Sequence, residues 1–244
     1  MAIATKKHRI LYTVASKYES AERFDKLKKG VDIVCAGDSL TGWNNHLTHP
    51  TIWPFPTYPK FLQDILNEND ADLHVVNAGI AGATSNAGFF AVMSCLEKFE
   101  NAQFYLIGFG ANDLGQGVLT EFDKSIGLTK ADIYNPPLEE ITEKAIENLD
   151  SMVDGVLTEG KKPILINVPN VNEEICPPER IQELRAKRDH YNKQVADYFA
   201  GRVPIVDIRS KLKDKHFDDS VHTNEKGAKI IAEAVFSELK KYLN

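Results

Sequence analysis

Four polar stretches in this chain of 244 residues carry the side chains of a single chemistry. Gly37-Asp38-Ser39-Leu40 follows the apolar run Val31–Ala36. Asn77-Ala78-Gly79-Ile80-Ala81-Gly82-Ala83-Thr84-Ser85 follows Leu73–Val76, and Gly110-Ala111-Asn112-Asp113-Leu114 follows Phe104–Phe109. Near the end of the chain, Asp218-Asp219-Ser220-Val221-His222 stands just ahead of a helical pattern. Together they supply a hydroxyl, a glycine-rich turn with free backbone N–H groups, an amide, an imidazole and a carboxylate. Those are the parts of a serine hydrolase: nucleophile, oxyanion donors, base, and a carboxylate that orients the base. Singly, each has an ordinary reading. Asp and Ser are favoured in turns and helix caps, and a lone Asp-x-x-His is a common surface pair. The glycine-rich turn does not match a phosphate loop, because no Gly-Lys-Ser/Thr follows, and its glycines are wrongly spaced for a dinucleotide fingerprint.

The elements that must position these groups alternate between strand and helix. Val31–Ala36 is rich in β-branched residues and stopped by Gly37, as a buried parallel strand is. Leu73–Val76, Phe104–Phe109, Pro163–Val168 and Pro204–Ile208 give four more strands. Helices are predicted over Tyr58–Asn67, Asn86–Phe99 and the stripe Leu138, Ile141, Ala145, Leu149, Met152 and Val156 ended by Gly160. Another carries Ile181, Leu184, Tyr191, Val195 and Phe199, and the last runs from a Thr223 N-cap to Leu243. This alternation predicts an α/β domain with a largely parallel sheet and helices on both faces. All the polar stretches then fall where open α/β sheets bind ligands, outside the carboxyl ends of the strands. Residues 1–30 read as an added edge or cap on a domain spanning 31–244, with a short strand near Ile10–Val14 and a short helix over Ser20–Lys29. The loop from Thr41 to Pro59 holds Trp43, His46, His49, Trp53, Phe55 and Tyr58 among four prolines. It fits either a wall of an acyl or sugar pocket or a packed surface loop. Residues Gly115 to Pro137 form a second long loop, with helical capacity near Glu121–Ile126.

Composition excludes several classes. Apolar content of 43% and charged content of 26% are those of a globular protein, and the net charge of −6 has no long basic cluster, so nucleic acid is not an expected partner. No apolar run is long enough to span a bilayer. The apolar stretch after Lys6-Lys7-His8-Arg9 is too short for a signal peptide. Cys35, Cys95 and Cys176 are odd in number and far apart, which fits reduced, buried thiols and a cytoplasmic location. His46 and His49 have no carboxylate or cysteine at ligand spacing, so no metal and no cofactor are expected.

The four blocks, in this order, resemble the SGNH hydrolases, also called the GDSL esterase/lipase family. Gly37-Asp38-Ser39-Leu40 is similar to the family's first block, Asn77–Thr84 to its second, Gly110-Ala111-Asn112-Asp113 to its third and Asp219-Ser220-Val221-His222 to its fifth. The resemblance spans residues from about 31 to 240. It implies a three-layer α/β/α sandwich around a flavodoxin-like, mostly parallel five-stranded sheet of order 2-1-3-4-5. It implies Ser39 as nucleophile, His222 as general base and then acid, and Asp219 as the group that orients His222. The backbone N–H groups of Ser39 and Gly82, with the Asn112 amide, are the implied oxyanion donors. The activity implied is hydrolysis of a small-molecule carboxylic ester of small or medium acyl group through an acyl-Ser39 intermediate. Acyl transfer to an alcohol or sugar by the same residues is an alternative, as is an inactive binding module on the same fold. The Gly-x-Ser-x-Gly elbow of α/β-hydrolases is absent around Ser39.

Overall fold

The computed structural model describes residues 10–12, 30–42, 56–115, 136–176 and 178–243. The sheet has six strands, β1 (Ile10–Tyr12), β2 (Ile33–Gly37), β3 (Val75–Asn77), β4 (Phe104–Gly108), β5 (Lys162–Ile166) and β6 (Ile205–Val206), in the order β1-β3-β2-β4-β5-β6. Every pairing is parallel. The five strands from β2 onward have the predicted order, and β1 extends the sheet on the outer edge of β3. The helix expected over Ser20–Lys29 lies outside the described residues, as do His46, His49 and most of the loops 41–59 and 115–137.

Among the described residues, the helices are α1 (Tyr58–Glu68), α2 (Ser85–Lys98), α3 (Ala111–Leu114), α4 (Leu138–Thr158), α5 (Pro178–Tyr198) and α6 (Glu225–Leu239). Alternate strand residues point to opposite faces, so each strand feeds two cores. Val34, Ala36, Tyr105 and Ile107 pack with residues of α2, α4 and α5. Ile33, Cys35, Phe104, Leu106 and Ile164 pack with α1 and α6 on the other side. Burial on both faces explains why these strands read as continuous apolar runs. The result is the predicted three-layer α/β/α sandwich.

Several boundaries differ from expectation. Strands β5 and β6 stop two residues early, because Asn167 Oδ1 accepts from the N–H groups of Ile208 and Arg209 at 2.9 and 3.3 Å and folds both strand ends over. The N-cap of α6 is Asn224, not Thr223: Asn224 Oδ1 accepts from Gly227 N at 3.0 Å, while Thr223 is buried and bridges antiparallel to Phe217. The same helix ends at Leu239, with a 3₁₀ turn over Lys240–Tyr242 completing the stretch.

Candidate active site

Because all strands are parallel, the loops that leave their carboxyl ends share one edge of the sheet. The first of them is the Ser39 turn. A Cβ on Gly37 would fall on the Thr41 side chain and 2.7 Å from the Gly108 carbonyl oxygen of β4, so only glycine lets the chain leave β2 this closely. Asp38 then holds the turn. Its Oδ1 accepts from Leu40 N at 3.0 Å, and its backbone carbonyl accepts from Thr41 N and Gly42 N, both at 3.0 Å. Ser39 lies between these anchors, and no described residue accepts from its backbone N–H.

At the far end of the chain the Asp219–His222 turn closes on itself. Asp219 Oδ1 accepts from the backbone N–H groups of Val221 and His222 at 2.8 and 2.7 Å. The second carboxylate oxygen, Oδ2, is 2.7 Å from His222 Nδ1. Burial pushes the Asp219 carboxyl up, but the His222 ring and the two amides outweigh it and hold it below the ordinary carboxylate range. The other ring nitrogen, His222 Nε2, is 3.1 Å from Ser39 Oγ, a partner 183 residues away in the sequence. The neighbouring Asp218 has an exposed side chain, and its backbone N–H donates to the His222 carbonyl at 2.9 Å.

The glycine-rich stretch after β3 meets the Ser39 turn directly. Ile80 N donates to the Gly37 carbonyl at 2.8 Å, and a Cβ on Gly79 would lie 2.6 Å from Gly42 Cα. Gly82 has φ +75, a left-handed backbone with open space where a side chain would be, so its glycine is required by conformation and not by crowding. No described residue accepts from its N–H either. Asn112, second residue of α3, donates from Nδ2 to the Ala83 carbonyl at 3.0 Å. One of its two amide hydrogens is thereby used, and the side chain is fixed beside Gly82. The structure thus brings Ser39, His222 and Asp219 into one hydrogen-bonded chain, and ties Asn112 to the Gly82 loop.

Several supporting residues were not singled out from the sequence. Asn77 bridges two blocks: its Nδ2 donates to the Thr41 carbonyl and its Oδ1 accepts from Gly79 N, both at 3.0 Å. Asp113 locks α3 to the start of α2, accepting from Ser85 N at 2.8 Å and Ser85 Oγ at 2.7 Å. Asn192 clamps the end of β5, accepting from Val168 N at 3.0 Å and donating to Val168 O at 2.7 Å. Each stands inside or next to a motif or a helical stripe, but its partner is distant in sequence, so spacing alone could not reveal it. The three cysteines are free and buried, and burial pushes the Cys35 thiol far up, which leaves it a packing residue. Among the described residues no group of three His, Cys, Asp or Glu side chains could hold a metal ion, and no helix is long and apolar enough to cross a membrane.

A three-layer parallel α/β/α fold with a serine–histidine–aspartate chain at the carboxyl edge defines the class. The family model for GDSL-like lipases/acylhydrolases matches residues 35–230, and the chain belongs to that family. No curated protein matches the sequence. Solved structures share the fold at low identity. A GDSL-like lipase from Bacteroides thetaiotaomicron is 20% identical, with 89% of this chain and 90% of that one covered and a TM-score of 0.59. A member of the lipolytic G-D-S-L family from Veillonella parvula is 14% identical, covering 86% and 99%, with a TM-score of 0.59. The psychrotrophic esterase EstA from Pseudoalteromonas, in a structure inhibited by monoethylphosphonate, is 20% identical over 87% and 98%, with a TM-score of 0.52.

Proposed function

We propose that this protein is a serine esterase that hydrolyses a small-molecule carboxylic ester through an acyl-Ser39 intermediate. The observation that carries the reading is the unbroken contact chain Ser39 Oγ–His222 Nε2 at 3.1 Å and His222 Nδ1–Asp219 Oδ2 at 2.7 Å. In this reading His222 takes the Ser39 proton as Oγ attacks the ester carbonyl, and Asp219 stabilises the resulting imidazolium. The tetrahedral oxyanion accepts from the N–H groups of Ser39 and Gly82 and from the Asn112 amide. Collapse expels the alcohol, protonated by His222, and water repeats the sequence on the acyl-enzyme. The free, buried cysteines favour a reducing compartment, and we place the protein in the cytoplasm on that ground.

A fluorophosphonate probe tests this reading. It should label one serine per chain, mapped to Ser39, in step with loss of aryl-ester hydrolysis. A protein that hydrolyses none of a panel of aryl esters of increasing acyl length and takes up no label would be a binding module. Product analysis with and without an acceptor alcohol separates hydrolysis from acyl transfer by the same residues.

The Asn112 amide gives a sharper check. Asn112→Ala is expected to lower kcat about 10²-fold with little change in KM, the usual result of losing one oxyanion donor. Its bond to Ala83 O also steadies the Gly82 loop, so kinetics and melting temperature should be read together. A large drop in melting temperature with normal kcat would reduce Asn112 to a loop anchor.

A further inference from the structure

The proposed oxyanion donors stand on two pieces of chain with little stability of their own. α3, which carries Asn112, is a single turn of four residues, and a helix that short does not hold its shape in water. Gly82 has a left-handed backbone and no side chain to anchor it. Two links join these pieces. Asn112 Nδ2 donates to the Ala83 carbonyl at 3.0 Å. The next residue of α3, Asp113, takes both polar hydrogens of Ser85: Oδ2 accepts from Ser85 N at 2.8 Å and Oδ1 from Ser85 Oγ at 2.7 Å. The links fall on either side of Thr84. One alone would be a pivot, whereas the two together fix both the distance and the direction of residues 82–85 against α3. A third element sets the Ser85 hydroxyl. Asn148 of α4 donates from Nδ2 to Ser85 Oγ at 2.9 Å, which leaves the hydroxyl hydrogen for Asp113. Ser85 is fully buried and Asp113 is 5% exposed, so water does not readily replace a lost bond. Asn148 lies on the flank of the stripe Ala145, Leu149 and Met152, which packs α4 against Val92 and Cys95 of α2. Leucine there would extend the stripe and favour the helix, so its bond to Ser85 is what accounts for an amide.

We propose that Ser85 and Asn148 are positioning residues for the oxyanion site: Asn148 orients the Ser85 hydroxyl onto Asp113, and this clamp holds the Gly82 N–H and the Asn112 amide at a fixed spacing. The proposal rests on the esterase reading of Ser39 and His222. Neither side chain touches the reacting atoms; both act through the donors they hold in place. Oxyanion donors work because they are aimed before charge develops, and a displacement of about 1 Å at such a site can cost about 10²-fold in rate. Removing the Ser85 hydroxyl breaks its bond to Asp113 and leaves Asn148 without its acceptor. The 82–85 segment is then tied to α3 by the Asn112 bond and the Ser85 backbone N–H alone. Removing the Asn148 amide is milder, since the hydroxyl keeps Asp113 but loses the bond that fixes its rotation.

The test uses the whole protein and two readouts. The first is kcat and KM on one aryl ester for wild type, Ser85→Ala, Asn148→Leu, Asn112→Ala and the double variant Ser85→Ala/Asn112→Ala. The second is amide hydrogen exchange of residues 78–86 in the same proteins. Ser85→Ala should lower kcat about 10- to 30-fold and Asn148→Leu about 3- to 10-fold, with KM changed less than about twofold. In the Asn112→Ala background, Ser85→Ala should cost less than about fivefold, because one of the donors it positions is already gone. Exchange at Gly82 and Ala83 should quicken in both single variants. A kcat within about twofold of wild type in both single variants would overturn the proposal, as would a Ser85→Ala loss of full size in the Asn112→Ala background. Unchanged exchange at Gly82 and Ala83 would overturn it too. Asn148→Leu, alone and with Asn112→Ala, supplies the same comparison if Ser85→Ala does not fold. Wild type that neither turns over esters nor takes up a fluorophosphonate would defeat the esterase reading instead, while the exchange rates would still decide whether Ser85 and Asn148 hold the 82–85 segment.

Discussion

Replacing Ser39 by alanine is expected to leave a folded protein whose ester turnover has dropped at least ~10³-fold. The size follows from what is lost. On the proposed mechanism, loss of Oγ leaves no atom to form the acyl-enzyme, and only the proposed oxyanion donors and substrate binding remain to assist attack by water. The fold should survive because the side chain does little structural work. Its hydroxyl meets His222 Nε2, and the turn around it is held by Asp38, Thr41 and Gly42 through bonds that do not involve the serine side chain. A substitution of that kind usually changes stability by less than about 0.5 kcal/mol. The measurements are kcat on an aryl ester and the melting temperature of the same preparation. More than a tenth of wild-type turnover in the folded variant would move the nucleophile to another residue.

The second large effect should separate two adjacent aspartates. Asp219→Asn is expected to cost roughly 10²–10⁴ in kcat, and Asp218→Asn less than about tenfold. The geometry of the turn explains the asymmetry. Asp219 uses Oδ1 on the Val221 and His222 amides and Oδ2 on the His222 ring. An asparagine can keep the amide-facing oxygen, so the turn should persist. Its NH₂ group would then oppose the imidazole Nδ1–H, donor against donor. The ring must give up that bond or adopt the other tautomer, which places a hydrogen on the nitrogen meant to receive the Ser39 proton. Asp218 offers no such conflict, since its exposed carboxylate contributes no hydrogen bond to the turn and its backbone bond to His222 O is indifferent to the side chain. Both variants should be assayed side by side on one ester. Greater damage in the Asp218 variant would shift the assignment of the orienting carboxylate by one residue.

Much of this architecture was legible in the chain. The continuous apolar runs Val31–Ala36 and Phe104–Phe109 announce strands covered on both faces, and both cores draw on them. Local chemistry is also written locally. The Asp219–His222 bond joins residues three apart, within reach of any tight turn, and the left-handed Gly82 has a residue type suited to it. Element ends were less legible. The cap of α6 passed from Thr223 to Asn224 because Thr223 is drawn into a bridge with Phe217, a contact that no capping preference encodes.

By itself, then, the sequence determined the order of strands and helices, the turns that carry the reactive groups, and the inventory of those groups, since each depends on side-chain periodicity or on neighbours a few residues apart. Tertiary structure decided what those groups meet. Ser39 reaches His222 because parallel pairing delivers the loops after the strands to one edge of the sheet, where α6 and the turn before it also dock. Asn77 bridging to Thr41 and Asp113 locking Ser85 arise the same way. A donor in one element finds its acceptor only after packing has removed water from both, and no local pattern records the identity of that partner.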